Sequence, residues 1–178
     1  MGAPQRVELG GTVLRRFTVD DAATMAAAVA ASVEHLAAWM PWANETTASL
    51  EAQMQRMRQS VAAYEDPRGT WDYAICDEND AVIGCASIVV RDDGRREIGY
   101  WLHVDHTGHG QALRAAQLLT EIWRAQRDEP RIEIRCDEAN TASASIPRKL
   151  GYTFEGIVDR PPEAKAETGR EMVWSLER

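Results

Sequence analysis

Hydrophobic and polar residues alternate along several short segments of the chain, which is the pattern of strands with one buried face. The segment from Thr12 to Phe17 alternates in this way, and so do Trp71 to Cys76 and Ala81 to Val90, which an acidic turn joins as a hairpin. A second turn, Asp92-Asp93-Gly94, leads into a strand from Arg96 to His103. The pattern therefore predicts one isolated strand followed later by a three-stranded meander.

Helical periodicity fills the region between the first strand and the hairpin. An Ala-rich stretch predicts a helix, a second helical piece covers Val33 to Trp39, and Pro41 interrupts it before another helix begins. The Ala-rich helix is predicted to be capped by Asp20 or Asp21 and to end near Ser32. The last helix is predicted to be capped by Thr46 or Thr47 and to end near Tyr64.

The second half of the chain alternates helices with strands. Apolar residues recur at spacings of three and four and predict a buried helix face, with Arg114, Glu121 and Arg124 turned outward. These apolar residues are Ala112, Ala115, Ala116, Leu119, Ile122 and Trp123. The other predicted elements are a strand from Arg131 to Cys136, a helix from Asn140 to Leu150, and strands from Tyr152 to Arg160 and Glu171 to Leu176. The order β-α-α-β-β-β-α-β-α-β-β indicates one α/β domain over residues 1–178, with a mixed sheet.

Charge and composition narrow the classes of partner. Twenty Lys and Arg against 28 Asp and Glu give a net charge of −8, which disfavours nucleic acid and favours cationic amines. The chain has neither a membrane-spanning apolar segment nor a signal-peptide pattern at its start, so we expect a cytoplasmic protein that does not bind a membrane. Cys76, Cys85 and Cys136 are widely spaced and are expected to be buried free thiols.

A strand, a Gly-containing loop and a helix follow one another from Glu97 to Ala112. Gly108 and Gly110 allow a close approach of the main chain to a ligand, and the first turn of the helix offers unpaired N–H groups. Such an arrangement binds anions, and a pyrophosphate fits it. The loop has neither the Gly-Lys-Ser/Thr of a P-loop nor a third dinucleotide glycine. A purely structural turn is the alternative.

The loop Thr107-Gly108-His109-Gly110-Gln111-Ala112 and the strand Ile98-Gly99-Tyr100-Trp101-Leu102 resemble the acetyl-CoA loop and preceding strand of the GNAT superfamily of N-acetyltransferases. Thr107 departs from the family pattern, in which Gln or Arg is usual. The resemblance implies the GNAT acyl-CoA N-acyltransferase fold, with acetyl-CoA as the cofactor. It implies cofactor contacts by Leu102, His103, Val104, Thr107, Gly108, His109, Gly110, Gln111, Ala112 and Asn140.

The segment from Asn140 to Gly156 is similar to the corresponding pattern of the RimJ/RimL-like branch of this superfamily. Many GNAT enzymes have a Tyr general acid where this chain has Pro147, so a Tyr acid is excluded there. The resemblance implies that Ser143 is catalytic and protonates the departing CoA thiolate, while Asn140 contacts the cofactor arm. The alternative is that Asn140 only caps the helix and Ser143 faces solvent.

The segment from Ser32 to Trp42 resembles the acceptor-site region of the same branch. This resemblance implies that the acceptor is bound by His35, Trp39, Met40, Trp42 and Tyr100. A core helix with two packed tryptophans explains the segment equally well.

Acetyl transfer requires a neutral amine, donors for the developing oxyanion and a proton acceptor. We expect direct attack by the amine, with main-chain N–H groups near Leu102 to Val104 polarising the thioester carbonyl. Glu97 is the leading candidate for the catalytic base and Glu163 a weaker one. The alternative is that Glu97 is not a base and is only a charged residue exposed to solvent at the edge of its strand.

His103, His106 and His109 do not have the spacing of a metal site, so no metal is expected.

The acceptor implied by the branch is the α-amine of a protein or peptide. A small amine, such as an antibiotic, a polyamine or an aminoacyl nucleotide, is the alternative. The non-enzymatic alternative is a domain that binds acyl-CoA without catalysing a reaction. Relatives often dimerise, so a homodimer is possible.

Overall fold

The computed structural model describes residues 2–125 and 130–178. Within them, one sheet has the strand order β1-β2-β3-β4-β5-β6-β8-β7. The strands are β1 (Arg6–Leu9), β2 (Thr12–Arg16), β3 (Trp71–Cys76), β4 (Val82–Val90), β5 (Arg96–Leu102), β6 (Arg131–Asp137), β7 (Thr153–Asp159) and β8 (Arg170–Glu177). The helices are α1 (Ala22–Ala37), α2 (Leu50–Ala63), α3 (Gln111–Arg124) and α4 (Thr141–Lys149), with 3₁₀ turns at Val19–Asp21 and Val104–His106.

The predicted order of elements is confirmed, with one strand added at the start. β1 pairs antiparallel with β2 at the edge of the sheet. It has only four residues, two of them charged, and none of them is fully buried. A short edge strand of this kind gives little hydrophobic signal in the sequence.

Two details of the first helices differ from the prediction. α1 is one continuous helix from Ala22 to Ala37, because no helix breaker occurs before Pro41. α2 is capped by Ser49 and not by Thr46 or Thr47, since the Ser49 hydroxyl accepts a hydrogen bond from Ala52 N–H at 3.2 Å.

The sheet has a core on each face. One core joins it to α3 and α4 through residues such as Leu119, Trp123 and Ile146, and the other joins it to α1 and α2 through residues such as Met25 and Met57. Among the described residues, no helix combines the length and the apolar composition needed to cross a bilayer.

The sheet opens between its two central parallel strands. β6 pairs with β8 along its whole length, but in the part of the chain described here it pairs with β5 only where Glu97 lies opposite Glu133. The buried Glu133 carboxylate binds Arg95, Arg131 and Arg135 at this closed end. Burial opposes its ionisation, but the three arginines, Arg135 above all, hold the pKa of Glu133 below its usual range. β5 and β6 therefore separate toward their carboxyl ends and leave a cleft.

Candidate functional site

Two cavities meet in this cleft. The loop-side cavity, about 410 Å³, lies between the end of β5 and the starts of α3 and α4. The hairpin-side cavity, about 510 Å³, lies between β5, the end of β6 and the connection from β7 to β8. Both are lined by the same five residues, Trp39, Met40, Tyr100, Asn140 and Ser143. The two cavities therefore form one continuous cleft with these residues at the junction.

The loop before α3 presents its main chain to the loop-side cavity. Gly108 and Gly110 have φ angles of +81° and +75°, a region that favours glycine. A side chain at Gly108 would meet no atom within 4 Å, so the space beside its main chain is open. Gln111, Ala112 and Leu113, in the first turn of α3, line the same cavity. Their N–H groups and the helix dipole make this end of the cleft suited to an anion.

Thr107 stabilises the loop from within. Its hydroxyl donates a hydrogen bond to the Val104 carbonyl at 3.0 Å. The side chain is therefore committed to the 3₁₀ turn and does not replace the Gln or Arg that is usual at this position in the family. Thr107 still lines the loop-side cavity.

The hypothesis that main-chain N–H groups from Leu102 to Val104 polarise a carbonyl needs correction. His103 N–H donates to the Ile83 carbonyl at 2.7 Å, and Val104 N–H donates to the Ser32 hydroxyl at 3.0 Å. Because main-chain groups alternate in direction along an antiparallel ladder, Leu102 N–H points away from β4 and toward the cleft. Leu102 is the one donor of these three that faces the cleft.

The predicted cofactor residues divide into two groups. Seven line the loop-side cavity: Leu102, Thr107, Gly108, Gly110, Gln111, Ala112 and Asn140. Within the described ranges, the wall of this cavity does not include His103, Val104 or His109.

Arg114 lies against the loop, although the helical pattern predicts that it points outward. Its Nε donates to the Thr12 hydroxyl at 2.8 Å, and its Nη2 donates to the His109 carbonyl at 3.1 Å. The guanidinium thus ties the loop to the start of β2 and adds positive charge beside it. Its place in the first turn after the glycines is the sequence signal that would have found it.

Ser143 and Tyr100 meet at the junction of the two cavities. Their hydroxyl oxygens are 3.1 Å apart, and the Tyr100 hydroxyl also donates to the Ser143 carbonyl at 3.4 Å. That carbonyl has no helical N–H partner because the residue four positions later is Pro147. Pro147 therefore leaves the Ser143 carbonyl available to Tyr100.

Asn140 begins α4, and its side chain accepts a hydrogen bond from Ser143 N–H at 3.1 Å. Asn140 therefore caps α4, and it lines both cavities as well. Ser143 is half-buried in the cleft, so the alternative of a solvent-facing Ser143 is wrong.

Burial keeps the groups at the junction protonated. It raises the pKa of the Tyr100 hydroxyl well above its ordinary value, an effect that the bond to Ser143 opposes. Burial also raises the pKa of the Cys136 thiol to about 11, again opposed by Ser143. Cys76 and Cys85 are buried as predicted, but Cys136 is only half-buried, because it lines the hairpin-side cavity.

Glu97 and Glu163 both line the hairpin-side cavity. The Glu97 carboxylate accepts two hydrogen bonds from Arg91, at 2.9 and 2.7 Å. This fork-like pair holds the Glu97 carboxylate against Arg91. The exposed Glu163 carboxylate has no hydrogen-bond or ion-pair partner in the described ranges, whereas both oxygens of Glu97 are occupied by Arg91.

The connection that carries Glu163 is held in place by buried acids. Glu167 accepts hydrogen bonds from Glu163 N–H at 2.7 Å and from Arg160 at 2.6 Å. Asp137, at the end of β6, accepts from Thr168 N–H at 2.9 Å and from Gly169 N–H at 3.0 Å. Burial opposes the ionisation of Asp137, but hydrogen bonds from Ala139 N–H, at 3.0 Å, and from Thr168 and Gly169 lower its pKa below the usual range. The sequence pattern does not single out Asp137, whose partners Thr168 and Gly169 lie 31 and 32 positions away. It does not single out Glu167 either, because the turn of the connection, and no periodic pattern, brings the nearby partners of Glu167 to its carboxylate.

Aromatic residues line the hairpin-side cavity and its junction with the loop-side cavity. Trp42, which is 38% exposed, packs against Trp101 with ring centroids 6.0 Å apart. Trp39, Met40 and Tyr100 line both cavities, whereas His35 lines only the loop-side cavity.

Within the described residues, no three potential metal-binding side chains lie together.

Comparison with known proteins places this fold and cleft in a family. Residues 12–153 match the family model of the acetyltransferase (GNAT) domain, so the chain belongs to the GNAT acetyltransferase family. A curated relative, the uncharacterized N-acetyltransferase p20 of Bacillus licheniformis, is 33% identical over 104 residues, which cover 57% of this chain and 58% of that protein.

Solved structures share the fold along nearly the whole chain. The microcin C7 self immunity acetyltransferase MccE, in complex with acetyl-CoA and AMP, has a TM-score of 0.85 at 16% identity, covering 98% of this chain and 97% of its own. The ribosomal-protein-S5-alanine acetyltransferase from Vibrio fischeri has a TM-score of 0.85 at 23% identity, covering 97% and 96%.

Proposed function

We propose that this protein is an acetyl-CoA-dependent N-acetyltransferase that acetylates a primary amine, the α-amine of a protein or peptide. The observation that carries the proposal is the continuous cleft, in which an anion-binding loop and an acid-lined cavity meet at the hydroxyl groups of Tyr100 and Ser143. We expect the protein to be cytoplasmic. We also expect a homodimer, and sedimentation analysis of the oligomeric state tests this.

The loop-side cavity fits coenzyme A. Its diphosphate would be held by the N–H groups at the start of α3, beside the open main chain at Gly108. The main chain of β5 that faces the cleft would hold the extended arm. Acetyl-CoA, when bound, supplies the acetyl group as a thioester.

The residues at the junction have separate roles in the proposed reaction. Leu102 N–H would stabilise the negative charge that develops on the carbonyl oxygen as the amine nitrogen attacks. The Ser143 hydroxyl, hydrogen-bonded to Tyr100, would donate a proton to sulfur as the carbon–sulfur bond breaks. In total, one proton leaves the amine and one reaches the CoA thiol.

Glu163 is the stronger candidate for the group that takes the proton from the amine, directly or through water, which reverses the order favoured by the sequence. Both oxygens of Glu97 already bind Arg91. Glu163→Gln is therefore expected to lower kcat by about a hundredfold. Glu97→Gln is the matched control, with a smaller effect that reports the lost Arg91 pair.

Two acceptor classes have support. The similarity to an acetyltransferase of ribosomal-protein-S5 alanine favours a protein α-amine. The similarity to MccE, which has the same TM-score and was solved in complex with acetyl-CoA and AMP, supports a small-molecule amine as the second candidate.

The test is release of free CoA from acetyl-CoA with a peptide panel and a small-amine panel, supported by mass measurement of the products. Acetylated peptides at the higher kcat/KM are the expected result. Binding of CoA without turnover of any amine, unchanged in Ser143→Ala, would favour the non-catalytic alternative.

A further inference from the structure

A third cavity, about 440 Å³, opens from the hairpin-side cavity on the face of the sheet that carries α2. We call it the α2-side cavity. Met40, Trp42, Gly99 and Tyr100 line both cavities, so a molecule whose amine lies at the junction can extend into it. The roles described above for transfer of the acetyl group leave this space unused.

Arg56, on α2, lines the α2-side cavity. Its guanidinium lies over the Phe17 ring, 5.9 Å from the ring centroid, and has an ion-pair contact with Asp72. Its side chain is 28% exposed and approaches Asp72 at 3.7 Å, beyond hydrogen-bond distance. The Asp72 carboxylate already accepts hydrogen bonds from the hydroxyl groups of Ser60 and Ser87. The one hydrogen bond of the guanidinium within the described residues goes to the Cys85 sulfur at 3.1 Å, a weak acceptor.

Gln53 lies in the wall of the same cavity and has a hydrogen-bond acceptor that lacks a donor among the described residues. The residue is 2% exposed, and its amide nitrogen donates to the Thr47 carbonyl at 2.7 Å. Its amide oxygen is buried and has no donor within the part of the chain described here. A buried oxygen without a donor is costly unless a ligand supplies one.

We propose that the α2-side cavity binds a carboxylate carried by the acceptor, held by the Arg56 guanidinium, with an N–H group of the acceptor donating to Gln53. This inference deepens the proposed function and rests on it. A guanidinium binds a carboxylate through two parallel hydrogen bonds, which few other groups match. A side-chain carboxylate and a peptide N–H occur together in an acidic residue near a peptide N-terminus. The acceptor class is therefore an α-amine with an acidic residue close to it.

The charges of the cleft agree with such an acceptor. Glu163 lies in the hairpin-side cavity, where it favours the ammonium group, and Arg56 lies in the adjoining cavity, where it favours an anion. The tryptophan pair Trp42 and Trp101 lines the passage with aromatic surface suited to the methylene groups of the acceptor.

The test uses peptides that are identical except for Glu or Gln at one of the first few positions, since this pair has the same shape and differs in charge. With the wild-type protein, kcat/KM for the best Glu peptide is expected to exceed that for its Gln counterpart about tenfold or more. Arg56→Gln is expected to remove this preference while turnover of the Gln peptide stays within about twofold. Arg58→Gln, an exposed change on the same helix, is the matched control and should keep the preference.

A thermal unfolding curve of each variant shows whether the protein is folded. Arg56→Lys keeps the charge without the planar fork of the guanidinium, so it should retain part of the preference for the Glu peptide. Equal turnover of Glu and Gln peptides by the wild-type protein would overturn this inference and leave the proposed function standing. Retention of the full preference in a folded Arg56→Gln variant would also overturn it. Absence of turnover with every amine would overturn the proposed function, and this inference with it.

Discussion

The hydroxyl oxygens of Tyr100 and Ser143 lie 3.1 Å apart, although the residues are 43 positions apart in the chain. Tyr100 comes from β5 and Ser143 from the first turns of α4, so the contact spans the mouth of the gap between β5 and β6. Both cavities are lined by both residues. In the proposed reaction, a proton donor at this point would lie between the cofactor and the acceptor, beside the leaving sulfur.

Removal of either hydroxyl should therefore slow the chemical step. Ser143→Ala is expected to lower kcat by about a hundredfold, the usual effect of a lost general acid, with little change in the KM for acetyl-CoA. Tyr100→Phe should have a smaller effect, because it removes only the partner of that acid. The two changes combined should cost less than the product of the single effects, as measured by steady-state release of CoA. Full additivity would show that the hydroxyls act separately.

Pro147 offers a change that separates stability from activity. Pro147→Ala restores an N–H group that can bond the Ser143 carbonyl, so Tyr100 then shares that acceptor with the helix. Proline inside a helix costs about 3 kcal/mol, and the methylene groups lost from this buried position offset part of that gain. We expect Tm to rise by a few degrees while kcat falls several-fold. A fall in both quantities would point to a packing defect instead.

Arg114 is expected to matter for the cofactor and not for the chemical step. Arg114→Met removes the hydrogen bonds to Thr12 and to the His109 carbonyl, which hold the loop beside the proposed diphosphate site. The KM for acetyl-CoA should rise about tenfold with kcat nearly unchanged. Arg124→Met, an exposed change at the other end of α3, is the control and should leave both constants as they are. An equal rise in both variants would exclude a local role for Arg114.

The Cys136 thiol should report on the cleft through its reactivity. Its pKa is raised to about 11 by burial, and only the thiolate reacts with iodoacetamide. Alkylation of the native protein should therefore be slow at pH 8, rise steeply as the pH approaches 11, and be slower still with coenzyme A bound. In the unfolded protein, the same thiol should react quickly at pH 8. Rapid alkylation of native protein at pH 8, read by peptide mass, would contradict the buried position.

Much of the fold and the loop can be predicted from the sequence because their signals are local. The glycines at positions 108 and 110 and the apolar face of α3 lie within one continuous stretch, where turn geometry and helical period act over a few residues. The expected role of Ser143 has a different source, the resemblance of the segment from Asn140 to Gly156 to the RimJ/RimL-like branch.

Other features depend on contacts between distant segments, which periodicity does not contain. Arg114 occupies a position that helical spacing directs to solvent, but the β1–β2 turn covers it. Glu97 resembles a free base until Arg91 is placed beside it. The choice of Ser49 over Thr47 as a cap follows from the turn that already uses the Thr47 hydroxyl.

A crystal structure of the protein with coenzyme A would show whether the cleft binds the cofactor as proposed. We expect the diphosphate on the N–H groups between Gly110 and Ala112, and the sulfur within about 3.5 Å of the Ser143 hydroxyl. Coenzyme A bound elsewhere, or with its sulfur remote from Ser143 and Tyr100, would contradict this proposal.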